Sequence, residues 1–322
     1  MLVHVMTHVR LGVISWLLLC AQGCTVFDAG SELPLSQYHR VHSGAEALDF
    51  DPTSSILASG GWDGDVALWR PEQAKPLLVF QAHDSFVQDV AFARDRLVTA
   101  GFDGRLKLWN KAGALVAERD TGTPIDKMVA MGDRVVTAQH DGVLRFWRLP
   151  QLAPDGEWVL HYGPIASLAG HGPGGRIASG GFDGRVFLLS GNEPPRELEA
   201  PPSNARSLAF DQDGDRLYGG GWFRLFRWDL SNGSLEVMNT AHWGVISSLQ
   251  YTPRERAIAS ISRVNDSSVL FLDPDTGKTL RSLRRHPVCG TTLAVSPDGR
   301  YLANTGDDGL IRIFDLDNPP AR

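Results

Sequence analysis

Ten residues, GGWDGDVALW at 60–69, recur almost unchanged as AGFDGRLKLW at 100–109 and GGFDGRVFLL at 180–189. Such a period constrains a fold more than any single motif, because each copy must be one small unit that packs on the next. Short apolar segments ending at Trp69, Trp109, Trp147, Leu189, Trp228, Leu272 and Phe314 extend the series, 38 to 44 residues apart. Seven units of about forty residues predict a seven-bladed β-propeller of four-stranded antiparallel blades. In the second unit DVAFA, RLVTA, RLKLW and ALVAE read as strands, separated by Arg94-Asp95, Asp103-Gly104 and Ala112-Gly113. Asp-Gly returns at Asp63-Gly64, Asp141-Gly142, Asp183-Gly184 and Asp308-Gly309, a hairpin signal in which Gly accepts positive φ and Asp caps its own turn. Unit six carries the longer SRVNDSSV, and unit five, GGWFRLFRW, lacks the pair.

The last unit stops at IRIFDLDNPPAR, too soon for a fourth strand, whereas LSQYHRV at 35–41 is a spare strand-like piece ahead of the first. It is expected to pair as the outer strand of the last blade and close the ring. Residues 35–316 then form the propeller and 317–322 a tail.

The sequence resembles the WD-repeat propellers, whose units carry Gly-His near the start and Trp-Asp near the end, although only Trp228-Asp229 is a literal Trp-Asp. His42/Ser59/Asp63, His83/Thr99/Asp103 and His161/Ser179/Asp183 stand at matching offsets, with His242/Ser260 and His286/Asn304/Asp308 as looser copies. Ser, His and Asp together suggest a hydrolase, but several copies around a ring suggest a building part, and no nucleophile elbow accompanies them. The resemblance implies a buried network from Asp through His and Ser or Thr to the strand Trp, which here would reach Trp69 and Trp109.

The resemblance also implies that the residue before each turn Asp projects to the top face beside the channel. Those positions are Trp62, Phe102, His140, Phe182 and Asp307, with Trp222 in the shorter turn of unit five. Phe86, Tyr162 and Trp243 follow the His positions between blades. Large aromatics bury much area at small entropic cost, so this face is the expected protein-binding surface; packing over their own turns is the alternative.

Thirty-one Lys and Arg against 37 Asp and Glu give a net charge of −6 without a basic run, which argues against a nucleic-acid partner. No zinc spacing, phosphate loop or dinucleotide turn appears, so no metal, cofactor or catalytic residue is expected. The three Cys are Cys20, Cys24 and Cys289; Cys289 reads as a buried small hydrophobe. Ahead of the repeats, LGVISWLLLCA at 11–21 is too short to span a bilayer and suits a signal-peptide core. AQGC resembles a bacterial lipobox, implying a signal peptide at 1–23, a lipid on Cys24 and a tether at 24–34. Ordinary signal-peptidase cleavage after Gly23 is the other reading.

These features together predict a non-catalytic interaction scaffold of the bacterial cell envelope, held at the outer membrane facing the periplasm or soluble in the periplasm. A periplasmic enzyme or small-ligand binder using the channel, and an accessory lipoprotein of outer-membrane assembly, remain open beside it.

Overall fold

The computed structural model describes residues 34–38, 41–264, 267–283 and 289–318. Seven four-stranded antiparallel sheets follow one another along the chain, each meandering from the innermost strand outward. In the second blade the strands are Val87–Ala93, Arg96–Gly101, Arg105–Asn110 and Leu115–Asp120, within a few residues of the expected segments. The ring closes as anticipated: Ser36–Tyr38 pairs with Ile311–Asp315, Ser36 opposite Ile313, so the last blade is built from both ends of the propeller.

Packing explains why the blades need one another. The buried apolar residues fall into seven clusters, each shared by two neighbouring blades. Trp69, Phe50 and Leu57 of the first blade meet Tyr301, Ile311 and Ile313 of the last, so the closing seam is as apolar as the others. A lone blade would leave such faces in water; stacking buries them.

The innermost strands carry a second regularity. Six of the seven have a register shift near their start, between Ala45/Ala47, Val87/Asp89, Ile125/Lys127, Ile165/Ser167, Ile246/Ser248 and Gly290/Leu293. A bulge leaves one residue out of the ladder and re-aims its side chain. Here it brings Glu46, Gln88, Asp126, Ala166, Ser247 and Thr291 to equivalent places near one end of the channel. Side chains also bracket neighbouring inner strands: Asp49 accepts the N–H of Phe92 at 2.7 Å, and Gln250 accepts that of Val295 at 2.8 Å.

Candidate partner-binding face

In the first blade the indole N–H of Trp69 donates to the Ser59 hydroxyl at 2.8 Å, and that hydroxyl lies 2.8 Å from Nε2 of His42. His42 Nδ1 is 3.3 Å from the Asp63 carboxylate. Burial pulls His42 below 6.5 despite Asp63, so the ring is neutral. With Nδ1–H donating to Asp63, Nε2 must accept from Ser59, and every polar group is satisfied. The second blade repeats the chain: Trp109 to Thr99 at 2.9 Å, Thr99 to His83 at 2.7 Å, and His83 to Asp103 at 3.0 Å.

The Asp also stitches loop to turn. Asp103 accepts the N–H of Asp84 from the inter-blade loop and that of Arg105 from the hairpin. Burial would raise its pKa, but His83 and these two N–H groups outweigh that and hold it below the usual value. Ser59, Thr99 and Ser179 are completely buried, so none can meet a substrate as a nucleophile. The repeated Asp therefore holds a turn.

The other blades depart from this pattern in informative ways. His161 joins Ser179 at 2.9 Å and Asp183 at 3.1 Å, but Leu189 replaces the Trp. His242 keeps Ser260 at 2.9 Å. The third blade has Thr121 where the second has His83, yet Trp147 still donates to Thr137 at 2.9 Å, while Arg145 grips Asp141 at 2.9 Å and also bonds Gln139. In the last blade Arg312 takes Asp308 at 2.6 Å; the expected His286 lies outside the described residues, as does Cys24. In the fifth blade Gly219 stands at the serine position, and Trp228 donates instead to the Glu199 carbonyl at 2.9 Å.

These fasteners all sit at one end of the ring. Ala45 pairs with Gly61 and Val87 with Gly101, so the loop before each inner strand and the turn after each second strand emerge together. The backbone N–H of the residue before each turn Asp ties the two: Trp62 to the Gly44 carbonyl, Phe102 to Phe86, His140 to Pro124, Phe182 to Pro164 and Asp307 to Cys289. The expected aromatics therefore share a face. Phe86, Phe102, Phe182 and Trp222 are 40 to 47% exposed, Tyr162 84% and Trp243 74%.

Trp62, Phe86, Phe102 and His140 form an unbroken row, with neighbouring centroids 6.3, 6.3 and 6.2 Å apart. Trp62 is less open than the rest: its ring covers Gly44 and its N–H donates to Glu46 at 3.1 Å. Packing and exposure thus coexist in one row.

Sequence reasoning missed Phe223, which stands beside Trp222 at positive φ where other blades have the turn Asp. It also missed the charged groups nearer the channel. Asp126 accepts from His140 at 3.1 Å, and burial raises its pKa in spite of that bond. Arg263 pairs with Asp307 at 2.9 Å and with Glu46 at 3.6 Å. Arg206 lies over Phe182, 4.3 Å from the ring centroid. Cys289 is a free, half-buried thiol. Among the described residues no group of His, Cys, Asp and Glu is arranged to hold a metal ion.

Three stretches, 34–70, 74–110 and 277–315, match the family described as WD domain, G-beta repeat. The chain is similar to Striatin-4 of Homo sapiens, 25% identical over an alignment of 313 residues that covers 83% of this chain and 40% of that protein. It is similar to Striatin of Homo sapiens, 23% identical over 304 residues, 85% of this chain and 35% of the relative. It also resembles Guanine nucleotide-exchange factor SEC12 of Rattus norvegicus, 32% identical over 96 residues, 28% of this chain and 23% of the relative. The chain thus spans well under half the length of these curated relatives. Three matched repeats, relatives aligned over most of the ring and seven four-stranded blades together support a WD-repeat propeller.

Proposed function

We propose that this propeller is a non-catalytic interaction scaffold that binds a protein partner through the face bearing Phe86, Phe102, Phe182, Trp222 and Tyr162. The observation that carries this reading is the row from Trp62 to His140, in which Phe86 and Phe102 stay 40 to 47% exposed although the turns that carry them are pinned. Rigid, amphipathic rings on fixed turns make strong interface anchors, since little freedom is lost on binding. Phe86→Ser/Phe102→Ser should abolish cross-linking to a defined partner and leave the unfolding midpoint within a few degrees. Unchanged capture by that variant would reduce the row to turn packing.

The cellular setting belongs to the same proposal and rests on the sequence at 11–24. A lipid on Cys24 holds the propeller at a bacterial envelope membrane, acyl burial contributing about 0.8 kcal/mol per CH₂. Fatty-acid labelling of the intact chain checks it: label lost in Cys24→Ala supports the anchor, and an unlabelled parent chain refutes it.

A further inference from the structure

At the mouth of the channel the seven blades present equivalent residues, and blade five breaks the pattern with a cation. Arg206 follows Ala205 as Glu46 follows Ala45, two residues ahead of Leu208 and Leu48 at matching ladder positions, with its own N–H on the Gly220 carbonyl. Glu46 is engaged by Trp62 and Arg263, and Asp126 by His140. Among the described residues no carboxylate or carbonyl accepts from the Arg206 guanidinium, whose recorded partner is the face of Phe182.

Arg206 lines a cavity of about 260 Å³ together with Lys127, Arg263, Glu46, Asp89 and hydroxyl residues of the inner strands. Lys127 acts on the buried Asp89 carboxylate, and Arg263 is neutralised by Asp307 and Glu46. The three cations and the carboxylates Asp89, Glu46 and Asp307 balance in charge, but Arg206 is the one of the three cations that none of these carboxylates engages. Burial and the nearby Arg263 press its pKa down, so the cation is held where its own surroundings disfavour it. The lining hydroxyls are oriented across the blade seams instead: Ser207 donates to the Ile246 carbonyl at 3.2 Å and Thr291 to the Ala45 carbonyl at 2.7 Å. Lying over an aromatic ring leaves the edge donors of the guanidinium free to meet a ligand.

We propose that Arg206, stacked on Phe182, is the binding site for a single oxyanion group, a carboxylate or a phosphate, presented at the channel mouth. The planar fork suits two parallel N–H···O bonds to such a group. The cavity is below the size of a typical small-molecule pocket, so it takes one functional group rather than a whole cofactor. The aromatic-face reading enters only in saying who presents the group: an acidic or phosphorylated residue of a partner whose apolar side chains rest on the neighbouring rings.

The test is a titration of the intact chain with inorganic phosphate and, separately, with acetate, at constant ionic strength with chloride as the balancing ion. Heat of binding and the Arg206 Nε resonance are followed together. Saturable binding that shifts this resonance, weakened at least tenfold in Arg206→Gln and severalfold in Phe182→Leu, is expected. Preference for phosphate would assign a phosphorylated source, preference for acetate a carboxylate. Absence of saturation, or equal binding by Arg206→Gln, overturns the proposal. If Arg206→Gln fails to fold, the resonance shift in the parent chain and its loss in Phe182→Leu decide. Phe86→Ser/Phe102→Ser leaves this titration unchanged, so failure of the partner face and failure of the oxyanion site are read separately.

Discussion

Blade two and blade five solve the same problem by different means. In blade two a polar chain runs from Trp109 through Thr99 and His83 to Asp103, each group paired. Blade five has Gly219 where Thr99 would be and Pro202 seventeen positions earlier, where the first blade has His42 seventeen before Ser59. There the indole lies directly over glycine: a Cβ on Gly219 would come 2.8 Å from Cζ3 of Trp228. Thus the polar chain is one fastener among several, and ring-on-backbone packing with a stiff Pro-Pro loop replaces it. The blade that abandons the fastener also presents Arg206, Trp222 and Phe223, so departure from the repeat and departure in surface chemistry coincide.

The sharpest way to break this comparison is to remove a hub. Thr99→Ala leaves Nε2 of His83 and the indole N–H of Trp109 without their shared hydroxyl partner, both buried. Two orphaned polar groups should cost about 2–4 kcal/mol, read as a lower urea midpoint. A loss below about 0.5 kcal/mol would show that the chain contributes little in any blade.

Restoring the repeat in blade five should fail in the opposite sense. Gly219→Ser supplies the missing hydroxyl, but no His waits for it and Trp228 must move off its bond to Glu199. Overpacking of this kind costs about 1–3 kcal/mol. A stabilised variant would mean that blade five is merely an incomplete copy of blade two.

Local signals made the ring legible. Asp-Gly turns and the apolar period of about forty residues are short-range features, and the spare segment at 35–41 exposed the closure before any contact was known. The His, Ser or Thr, and Asp offsets survived for the same reason, since each pair is fixed by one hairpin. Thr137 with Trp147 was equally readable, TAQHDG aligning with TAGFDG, although Thr121 replaces the His of the network sixteen positions earlier. The channel mouth was not readable in this way. Glu46, Lys127 and Arg206 line one cavity from blades far apart in sequence, the first two beside bulges, which the strand period does not encode. Phe223 was hidden likewise, because a shortened turn puts a bulky residue at positive φ against the usual preference.

Acid sensitivity sharpens the contrast further, with a smaller effect. His42 and His161 are held below 6.5 by burial, so the folded state resists protons that the unfolded chain accepts. Their contribution is full above pH 6.5 and is lost as pH falls below it towards the folded values. Replacing both fasteners with apolar ones, His42→Leu/Ser59→Ala and His161→Leu/Ser179→Ala, should remove the rise in stability from pH 5 to 6.5 that the histidines contribute. An unchanged slope would place the acid response elsewhere.

The inner brackets titrate in the opposite direction. Asp49 spans from blade one to blade two, whereas blade five has Ala209 at the equivalent position and no such bracket. Burial lifts the Asp49 carboxyl to about 7, against the opposing pull of the Phe92 N–H. The folded state therefore keeps a proton that the unfolded chain releases near 3.8, and stability from this group is lost as pH rises through about 7. That trend opposes the histidines, so the parent chain should show a shallow profile across pH 5 to 7. Asp49→Asn keeps an oxygen for the Phe92 N–H and removes the titration. Its stability should match the parent at pH 4 and exceed it at pH 8, leaving the histidine slope exposed between. If the variant instead falls below the parent at pH 8, the ionised carboxylate is a better bracket than a neutral one, and the inner strands are held by charge rather than by the hydrogen bond alone.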